Sequence, residues 1–175
     1  MTAPEIAITL RPERAGDEET IFALTEAAFR DMLFSDGDEQ HLVNQLREDG
    51  DLTLSLVAED AERIVGHIAI SPVRISGGPP ENDRDNWYGL GPVSVWPDLQ
   101  GQGIGSALIN RAIADMRARG AKGIILLGSP EYYSRFGFKH EPQLAYPGPP
   151  AEYFQALLLD GCLPSGVVTY APAFG

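Results

Sequence analysis

Apolar residues recur along the chain at two spacings, and these spacings predict helices and strands in a mixed order. Where they recur every three or four residues, as at Ile21 and Leu24, an amphipathic helix is expected. Short runs rich in β-branched and aromatic residues predict strands. The predicted helices span residues 17–32, 38–48, 103–119 and 130–136. The predicted strands span residues 5–11, 53–59, 63–75, 87–95, 120–128 and 137–141, with one or two more in residues 152–170.

The connections between these segments predict a mixed sheet. A polar turn at residues 60–62 joins two strands and predicts an antiparallel hairpin. The strand–helix–strand order over residues 87–128 requires a parallel, right-handed crossover. Gly91 and Pro92 are poor ladder residues, so a bulge or an end of pairing is expected there. The predicted fold class is therefore α/β, with a mixed and mostly antiparallel sheet flanked by helices.

Length and composition narrow the class of protein. The chain has 175 residues, 43% of them hydrophobic and 22% charged, which favours a single globular domain over residues 1–175. Its formal net charge of −12 disfavours general nucleic-acid binding and suits a cationic small molecule. The single cysteine, Cys162, allows no internal disulfide. No signal-peptide pattern and no membrane-spanning run is found, so a cytoplasmic protein without membrane partners is expected.

A glycine-dense loop follows the strand at residues 87–95. Gly101, Gly103 and Gly105 stand at alternate positions, where glycine permits positive φ angles and close approach of the backbone to a ligand. The unpaired amides of the next helix and its dipole favour a phosphate or another anion. The spacing alone leaves two alternatives open, an anion site and a plain glycine-rich turn.

Three phosphate-binding motifs compete for this loop. A Walker A loop ends in Gly-Lys-Ser/Thr, but Gly105 and Ser106 here have no lysine between them. A dinucleotide fingerprint opens the first βαβ unit and places an acidic residue about 20 residues on, whereas this loop comes late and Glu131 is further away. The third motif, Gln/Arg-x-x-Gly-x-Gly/Ala, matches Gln100 to Gly105 at every fixed position.

That third motif belongs to the GNAT superfamily of N-acetyltransferases, which the chain resembles. Residues 93–95 with Pro97 resemble the strand before the family's loop. Tyr133, followed four and five residues later by Gly137 and Phe138, resembles its second signature. Two signatures in the expected order are more specific than the loop alone.

The resemblance covers the whole chain. Residues 10–29 are similar to the family's first strand and helix. Residues 55–73 and 167–174 resemble a largely uncharacterised subgroup of predicted acetyltransferases. The resemblance therefore implies the GNAT fold, with a splayed pair of parallel strands within the mixed sheet.

The resemblance also implies that acetyl-CoA binds as co-substrate between the strands ending at Val95 and Gly128. The backbone of residues 93–95 would pair with the pantetheine arm, and the amides of residues 100–106 would bind the pyrophosphate. Gln102 replaces a basic residue often found there, which would weaken phosphate binding slightly. The predicted cofactor-binding residues are Val93, Ser94, Val95, Gln100, Gly101, Gln102, Gly103, Ile104, Gly105, Ser106, Ser129, Tyr133 and Phe136.

Tyr133 is the predicted catalytic residue. In the family a tyrosine at this position lies near the thioester sulfur, where it can protonate the departing thiolate. The alternative is an aromatic ring that packs on the cofactor arm without a proton role. The implied reaction is direct transfer of an acetyl group to a primary amine. The sequence identifies no general base, and His67, between apolar neighbours, is expected to be a hydrogen-bonded core histidine.

The implied partners are acetyl-CoA and an amine acceptor, with no metal. Phe29 and Phe34 are the predicted substrate-binding residues, because aromatic rings beside Asp31 and Asp36 suit a cationic amine. A solvated acidic loop is the alternative for that segment. A homodimer is common in the family and remains open here. Two other functions also remain open: a non-catalytic acyl-CoA-binding or sensing module, and a nucleotide-binding protein.

Overall fold

The structure, a computed structural model, describes residues 7–32, 35–61, 63–77 and 84–175. Its helices are α1 (Glu18–Phe29), α2 (Glu39–Asp49), α3 (Ile104–Ala118) and α4 (Pro130–Tyr133). Its strands are β1 (Thr9–Pro12), β2 (Leu54–Glu59), β3 (Ile64–Ser76), β4 (Trp87–Val95), β5 (Gly123–Leu127), β6 (Leu144–Ala145), β7 (Phe154–Leu158) and β8 (Gly166–Tyr170). Among the described residues, no helix is both long and apolar enough to cross a membrane.

The strands form one mixed sheet of eight. Its order is β1-β2-β3-β4-β5-β7, and β8 pairs with both β3 and β6. β4 pairs with β5 in parallel, from Trp87–Gly123 to Gly89–Ile125, as the predicted crossover requires. The β2–β3 hairpin is antiparallel, as are β1–β2, β3–β8 and β5–β7. The predicted fold class is therefore confirmed: an α/β fold whose sheet is mostly antiparallel, with a parallel β4–β5 pair and helices.

Contacts divide the chain into two compact units. Unit 1 comprises Met1–Ile70 and Pro92–Ala112, and unit 2 comprises Ser71–Gly91 and Ile113–Gly175. Strands β3 and β4 and helix α3 each contribute residues to both units. The single domain expected from the sequence stays a prediction.

The core of unit 1 lies where α1 and α2 meet the β2–β3 hairpin. Ile21 and Leu24 of α1 pack with Val43 of α2, Val57 of β2 and Ile64 of β3, and all five are buried. The apolar spacing that predicted the first two helices therefore marks the faces that they bury.

The core of unit 2 is built around the indole of Trp87 on β4. The buried residues of this cluster are Val73, Ile75, Trp87, Ile125, Leu144, Phe154, Ala156 and Val168. Gly123 lies under the indole, where an added Cβ would overlap the ring. Glycine at the start of β5 therefore lets a large aromatic ring lie directly on the strand.

The predicted strand at residues 137–141 is wrong. Gly137 has a φ of +97° and ends a short 3-10 turn, and only an isolated bridge between Lys139 and Ala156 follows. The chain turns again before β6, which the sequence did not predict and which pairs with β8. A two-residue strand carries too few residues for an alternating pattern to be recognisable.

The first predicted helix also differs in detail. It ends at Phe29, three residues earlier than predicted, and Met32 is 56% exposed. It also begins one residue later than predicted, so Asp17 lies just before the helix, where it makes no side-chain cap. Its carboxylate instead accepts hydrogen bonds from Arg11 Nη1 at 2.8 Å and from the Arg14 amide at 2.9 Å. The start of the first predicted strand, residues 5–6, lies outside the described residues.

Candidate active site

The glycine loop between β4 and α3 adopts the backbone that its sequence demands. Gly101 and Gly103 have φ angles of +80° and +86°, in the left-handed region that favours glycine. An added Cβ would meet nothing within 4 Å at either position, so conformation and not crowding requires glycine. Residues 101–103 are exposed, immediately before the N-terminus of α3. Gly105 differs from the expectation, because it lies inside α3 and carries no positive φ.

Contacts within unit 1 hold both ends of this loop. The Trp96 indole donates to the Ile64 carbonyl at 3.0 Å, and the Trp96 carbonyl accepts the Leu99 amide at 2.8 Å. On the other side of the loop, Ile104 and Leu108 of α3 approach Gly66 of β3, where an added Cβ would lie 2.8 and 3.0 Å from their side chains. The N-terminus of α3 therefore packs directly on the strand backbone.

Residues 93–95 and Gln100 differ in their burial and in the contacts that their side chains make. Ser94 and Val95 are buried, and Val93 is half-buried. The Ser94 hydroxyl lies 3.4 Å from the Thr25 hydroxyl of α1, so its side chain is engaged within unit 1. Gln100 folds back, and its side-chain amide donates to the Val95 carbonyl at 3.3 Å.

Tyr133 lies at the C-terminus of α4 in unit 2, with its ring against Gly128. An added Cβ at Gly128 would lie 2.8 Å from Tyr133 Cδ2 and closer still to Cε2. Burial, together with the neighbouring Tyr132, raises the pKa of the Tyr133 phenol to about 12. The hydroxyl is therefore protonated at neutral pH and can donate a proton or a hydrogen bond.

An aromatic cluster surrounds Tyr133. The ring of Tyr132 contacts it edge to face at a centroid distance of 4.9 Å, and Phe136 and Phe138 both lie at 6.2 Å. Phe138 is buried, whereas Phe136 is half-buried. Ser129 is exposed and precedes α4, and its carbonyl accepts the Tyr133 amide at 3.0 Å. Unit 2 thus brings together the predicted site residues Ser129, Tyr133 and Phe136.

His67 is a hydrogen-bonded core histidine, as predicted. Its Nε2 lies 2.7 Å from the Ser55 hydroxyl, which donates to Glu13 Oε1 at 2.8 Å. Glu13 also pairs with Arg47 of α2 at 2.7 Å. Burial lowers the pKa of His67 to about 4, although the charge of Glu13 acts in the opposite direction. The ring is therefore neutral near pH 7.

Of the two predicted substrate-binding residues, one lies in the part of the chain that the structure describes. Phe29 is the last residue of α1 and is half-buried, whereas Phe34 lies outside the described residues. His41 of α2 contacts Phe22 of α1 edge to face at 5.1 Å. Within the described residues, no three His, Cys, Asp or Glu side chains form a group that could hold a metal ion.

Sequence reasoning missed two glycines that shape these regions, Gly66 and Gly128. Both lie in or beside buried strands and neither has a positive φ. An isolated glycine within a strand pattern indicates close approach by another group. The sequence therefore contains that signal, but which group approaches each glycine is visible only in the structure.

These features define the class of protein as a CoA-dependent acyltransferase: a mixed sheet with a parallel β4–β5 pair, a left-handed glycine loop at a helix N-terminus, and a half-buried tyrosine before Gly-Phe. The acetyltransferase (GNAT) domain family matches residues 9–140. The chain therefore belongs to the GNAT family, and the predicted enzyme class, an acetyl-CoA-dependent N-acetyltransferase, is confirmed.

Two solved structures and one curated relative support this membership. A GNAT family acetyltransferase from Brucella melitensis, in complex with acetyl-CoA, is 44% identical with a TM-score of 0.84 and covers 98% of this chain and 100% of its own. YhbS from Escherichia coli, in complex with CoA, is 32% identical with a TM-score of 0.84 and covers 99% and 95%. By sequence alone, YhbS is 34% identical over 148 residues, which are 81% of this chain and 86% of its own. YhbS is described as an uncharacterized N-acetyltransferase, in agreement with the predicted subgroup.

Proposed function

We propose that this chain, acting as one domain over residues 1–175, transfers an acetyl group directly from acetyl-CoA to a primary amine. The observation that carries the proposal is the left-handed backbone at Gly101 and Gly103 ahead of α3. Residues 101–103 are exposed just ahead of a helix N-terminus, a position whose backbone amides and dipole suit the pyrophosphate of CoA. Solved relatives with 44% and 32% identity contain acetyl-CoA and CoA.

The binding of acetyl-CoA would divide among three groups of residues. The backbone of Val93, Ser94 and Val95 would pair with the amides of the pantetheine arm. The amides of residues 100–106 would hold the pyrophosphate, so Gln102 need not supply a positive charge. Ser129 and Phe136 would line the thioester end beside Tyr133.

The chemical step requires two proton movements. The neutral amine attacks the thioester carbonyl, the carbon–sulfur bond breaks, and the acetyl group becomes an amide. Tyr133 donates its phenolic proton to the departing thiolate, and its pKa of about 12 leaves that proton in place at neutral pH. The attacking nitrogen gives one proton to water, and the Tyr133 phenolate then regains a proton from water, so the amide and the CoA thiol form without a net change at the enzyme. An amine that is cationic in solution first loses its extra proton to water.

The acceptor is proposed to be a cationic amine of a small molecule or a protein. Phe29 and Phe34 are the proposed contacts, beside the acidic residues of the same segment. The overall charge of −12 would attract such an acceptor. A cytoplasmic location is proposed for the enzyme, since acetyl-CoA is the co-substrate.

Thermal unfolding with acetyl-CoA, NAD or ATP tests the binding part. A ligand at 100 times its Kd adds about 2.7 kcal/mol to stability, so acetyl-CoA alone is expected to raise the Tm. A shift with NAD or ATP instead would overturn the proposal.

Release of CoA thiol in a screen of cationic, neutral and acidic amines tests the catalytic part. Turnover with a cationic amine is expected, with a fall of about 10²-fold or more in kcat for Tyr133→Phe. Binding of acetyl-CoA without turnover of any amine would identify a non-catalytic acyl-CoA-binding or sensing module.

A further inference from the structure

Hydrogen bonds hold both backbone polar groups of Gly128, the residue against the Tyr133 ring. The Gly128 amide donates to the Tyr153 carbonyl at 3.0 Å. The Gly128 carbonyl accepts a hydrogen bond from Gln155 Nε2 at 2.9 Å. Both partners lie at or just before β7, which pairs with β5 from Leu127–Phe154 onward. The chain just after β5 is therefore held in place although it lies beyond the strand.

Gln155 is a buried polar residue within an apolar strand. It is 1% exposed in a strand whose neighbours, Phe154 and Ala156, belong to the apolar core. A buried side-chain amide costs free energy unless it is hydrogen-bonded, and an apolar residue would fill the same volume without that cost. Its observed role is the hydrogen bond to the Gly128 carbonyl.

Gly128 has no conformational need for glycine. Its φ is not among the positive values of the chain, so an alanine could adopt the same backbone. Only the Tyr133 ring excludes a side chain, since a Cβ would lie 2.8 Å from Cδ2. The absence of a side chain thus determines how close the ring lies to the end of β5.

We propose that Gly128 and Gln155 are positioning residues that set the location of the Tyr133 hydroxyl for proton donation to the thiolate. The inference rests on the proposed function of Tyr133. Gln155 fixes the peptide, and the bare Cα of Gly128 fixes the distance of the ring from that peptide. A displacement of the ring moves the hydroxyl away from the leaving group, and a misplacement of about 1 Å can cost about 10²-fold in rate.

The first test is Gly128→Ala, assayed by CoA thiol release with an amine that the screen turns over. We expect kcat to fall about 10²-fold while the KM for acetyl-CoA changes little. Gly89→Ala is the matched control, because Gly89 lies beneath the Tyr170 ring with an added Cβ 2.9 Å from Cε1. It is expected to lower the Tm and to leave kcat unchanged. An unchanged kcat in Gly128→Ala overturns the proposal.

Gln155→Met tests the second residue without adding bulk. Methionine keeps the length of the side chain and removes the donor, so a smaller fall in kcat is expected with the KM for acetyl-CoA retained. Gln143→Met is the control, because Gln143 also donates to backbone carbonyls of unit 2, those of Leu163 and Pro164. Equal kcat values for the two variants contradict the role of Gln155. This variant also carries the test if Gly128→Ala does not fold.

A double-mutant cycle separates this proposal from the proposed function. In the Tyr133→Phe background no hydroxyl remains to be misplaced, so Gly128→Ala is expected to cause no further fall in kcat. The same fold-change in both backgrounds shows that Gly128 acts elsewhere. A Tyr133→Phe enzyme with full kcat refutes the catalytic role of Tyr133 instead. Independently of any acceptor, a crystal structure of Gly128→Ala with the ring unmoved refutes the positioning role.

Discussion

Units 1 and 2 stabilise their interiors in different ways. In unit 1, charged and polar side chains join segments far apart in sequence: Arg47 donates to Glu13, and Ser55 lies between Glu13 and His67. A second polar group joins Arg11 to the nearby Asp17 at 2.8 Å and to the distant Glu59 at 3.0 Å. Hydrogen bonds and ion pairs require a particular geometry and charge, so few other residue types could replace these side chains.

The interior of unit 2 is stabilised mainly by contacts between aromatic rings. Tyr146 contacts Phe154 and Tyr170 at centroid distances of 5.6 and 5.0 Å, and Tyr170 contacts Phe174 at 5.0 Å. A second group gathers around Tyr133. Burial raises the pKa of the phenols of Tyr133 and Tyr170, so both stay neutral at moderate pH.

Because of this difference, the stability of the two units should depend differently on pH. Hydrogen-bonded charges respond to pH, because each protonation state changes the contact. Ring packing depends on buried area and shape, which pH does not alter. We therefore expect acid to destabilise unit 1 at a higher pH than unit 2. Truncation of an aromatic ring should destabilise unit 2 at every pH.

The largest expected effect comes from Phe138→Ala. Phe138 is 2% exposed, and removal of a buried phenyl ring costs about 3–5 kcal/mol in the free energy of unfolding. The loss should be the same at pH 5 and pH 7.5, measured by urea denaturation. Phe174→Ala, at an exposed ring of the same unit, should lose much less. Equal losses for the two variants would show that ring burial is not what stabilises unit 2.

The next effect is a fall in stability in mild acid that originates at His67. Its pKa is about 4 in the folded protein against 6.5 as the ordinary value, so between those values the unfolded chain binds a proton that the folded chain does not. The free energy of unfolding therefore falls as the pH is lowered from 6.5 to 4, by about 3 kcal/mol in total.

Urea denaturation of His67→Gln over this range tests the assignment. The variant should lose most of the slope, whereas His41→Gln, on an exposed residue of α2, should keep it. Glu13 and Asp17 add a separate loss at lower pH. Hydrogen bonds from Arg47 and Ser55 outweigh the burial of Glu13, and the hydrogen bond from Arg11 acts on Asp17, so both carboxyls have lowered pKa values. A slope unchanged in His67→Gln would place the acid sensitivity elsewhere.

The smallest effect is that of Glu13→Gln. The variant keeps the shape of the side chain but weakens the charge-assisted contacts with Arg47 at 2.7 and 2.9 Å. Because both side chains are partly exposed, we expect a loss of about 2 kcal/mol at pH 7 in the free energy of unfolding. Glu26→Gln removes an exposed pair with Arg30 at 3.7 Å and should lose less than about 0.5 kcal/mol. If both variants lose equally little, the polar contacts of unit 1 are not what distinguishes it.

Much of the fold follows from local sequence. β4 has the predicted bounds, because residues 87–95 combine aromatic and β-branched residues and end two positions before Pro97. The left-handed loop follows from Gly101 and Gly103, since few other residues accept that backbone. Local propensity decides these features, so a single sequence suffices to predict them.

The remainder depends on contacts between distant segments. The group of Glu13, Arg47, Ser55 and His67 joins four segments, and no spacing pattern indicates that they meet. Gly128 is explained only by the ring of Tyr133, which lies against it. The strand predicted at residues 137–141 failed for a related reason: local apolar and aromatic residues favoured pairing, but Gly137 turns the chain away.

The order in which the chain enters the two units has a consequence during synthesis. Unit 1 draws on residues up to 70 and then on residues 92–112, with a stretch of unit 2 between them. When a ribosome has delivered β1, β2 and the first part of β3, the backbone at Gly66 is still uncovered, because Ile104 and Leu108 have not yet been made. At about 5–20 residues per second, that bare strand surface waits some seconds for α3. The growing chain therefore exposes the β3 backbone at Gly66 to solvent until α3 is made and packs on it.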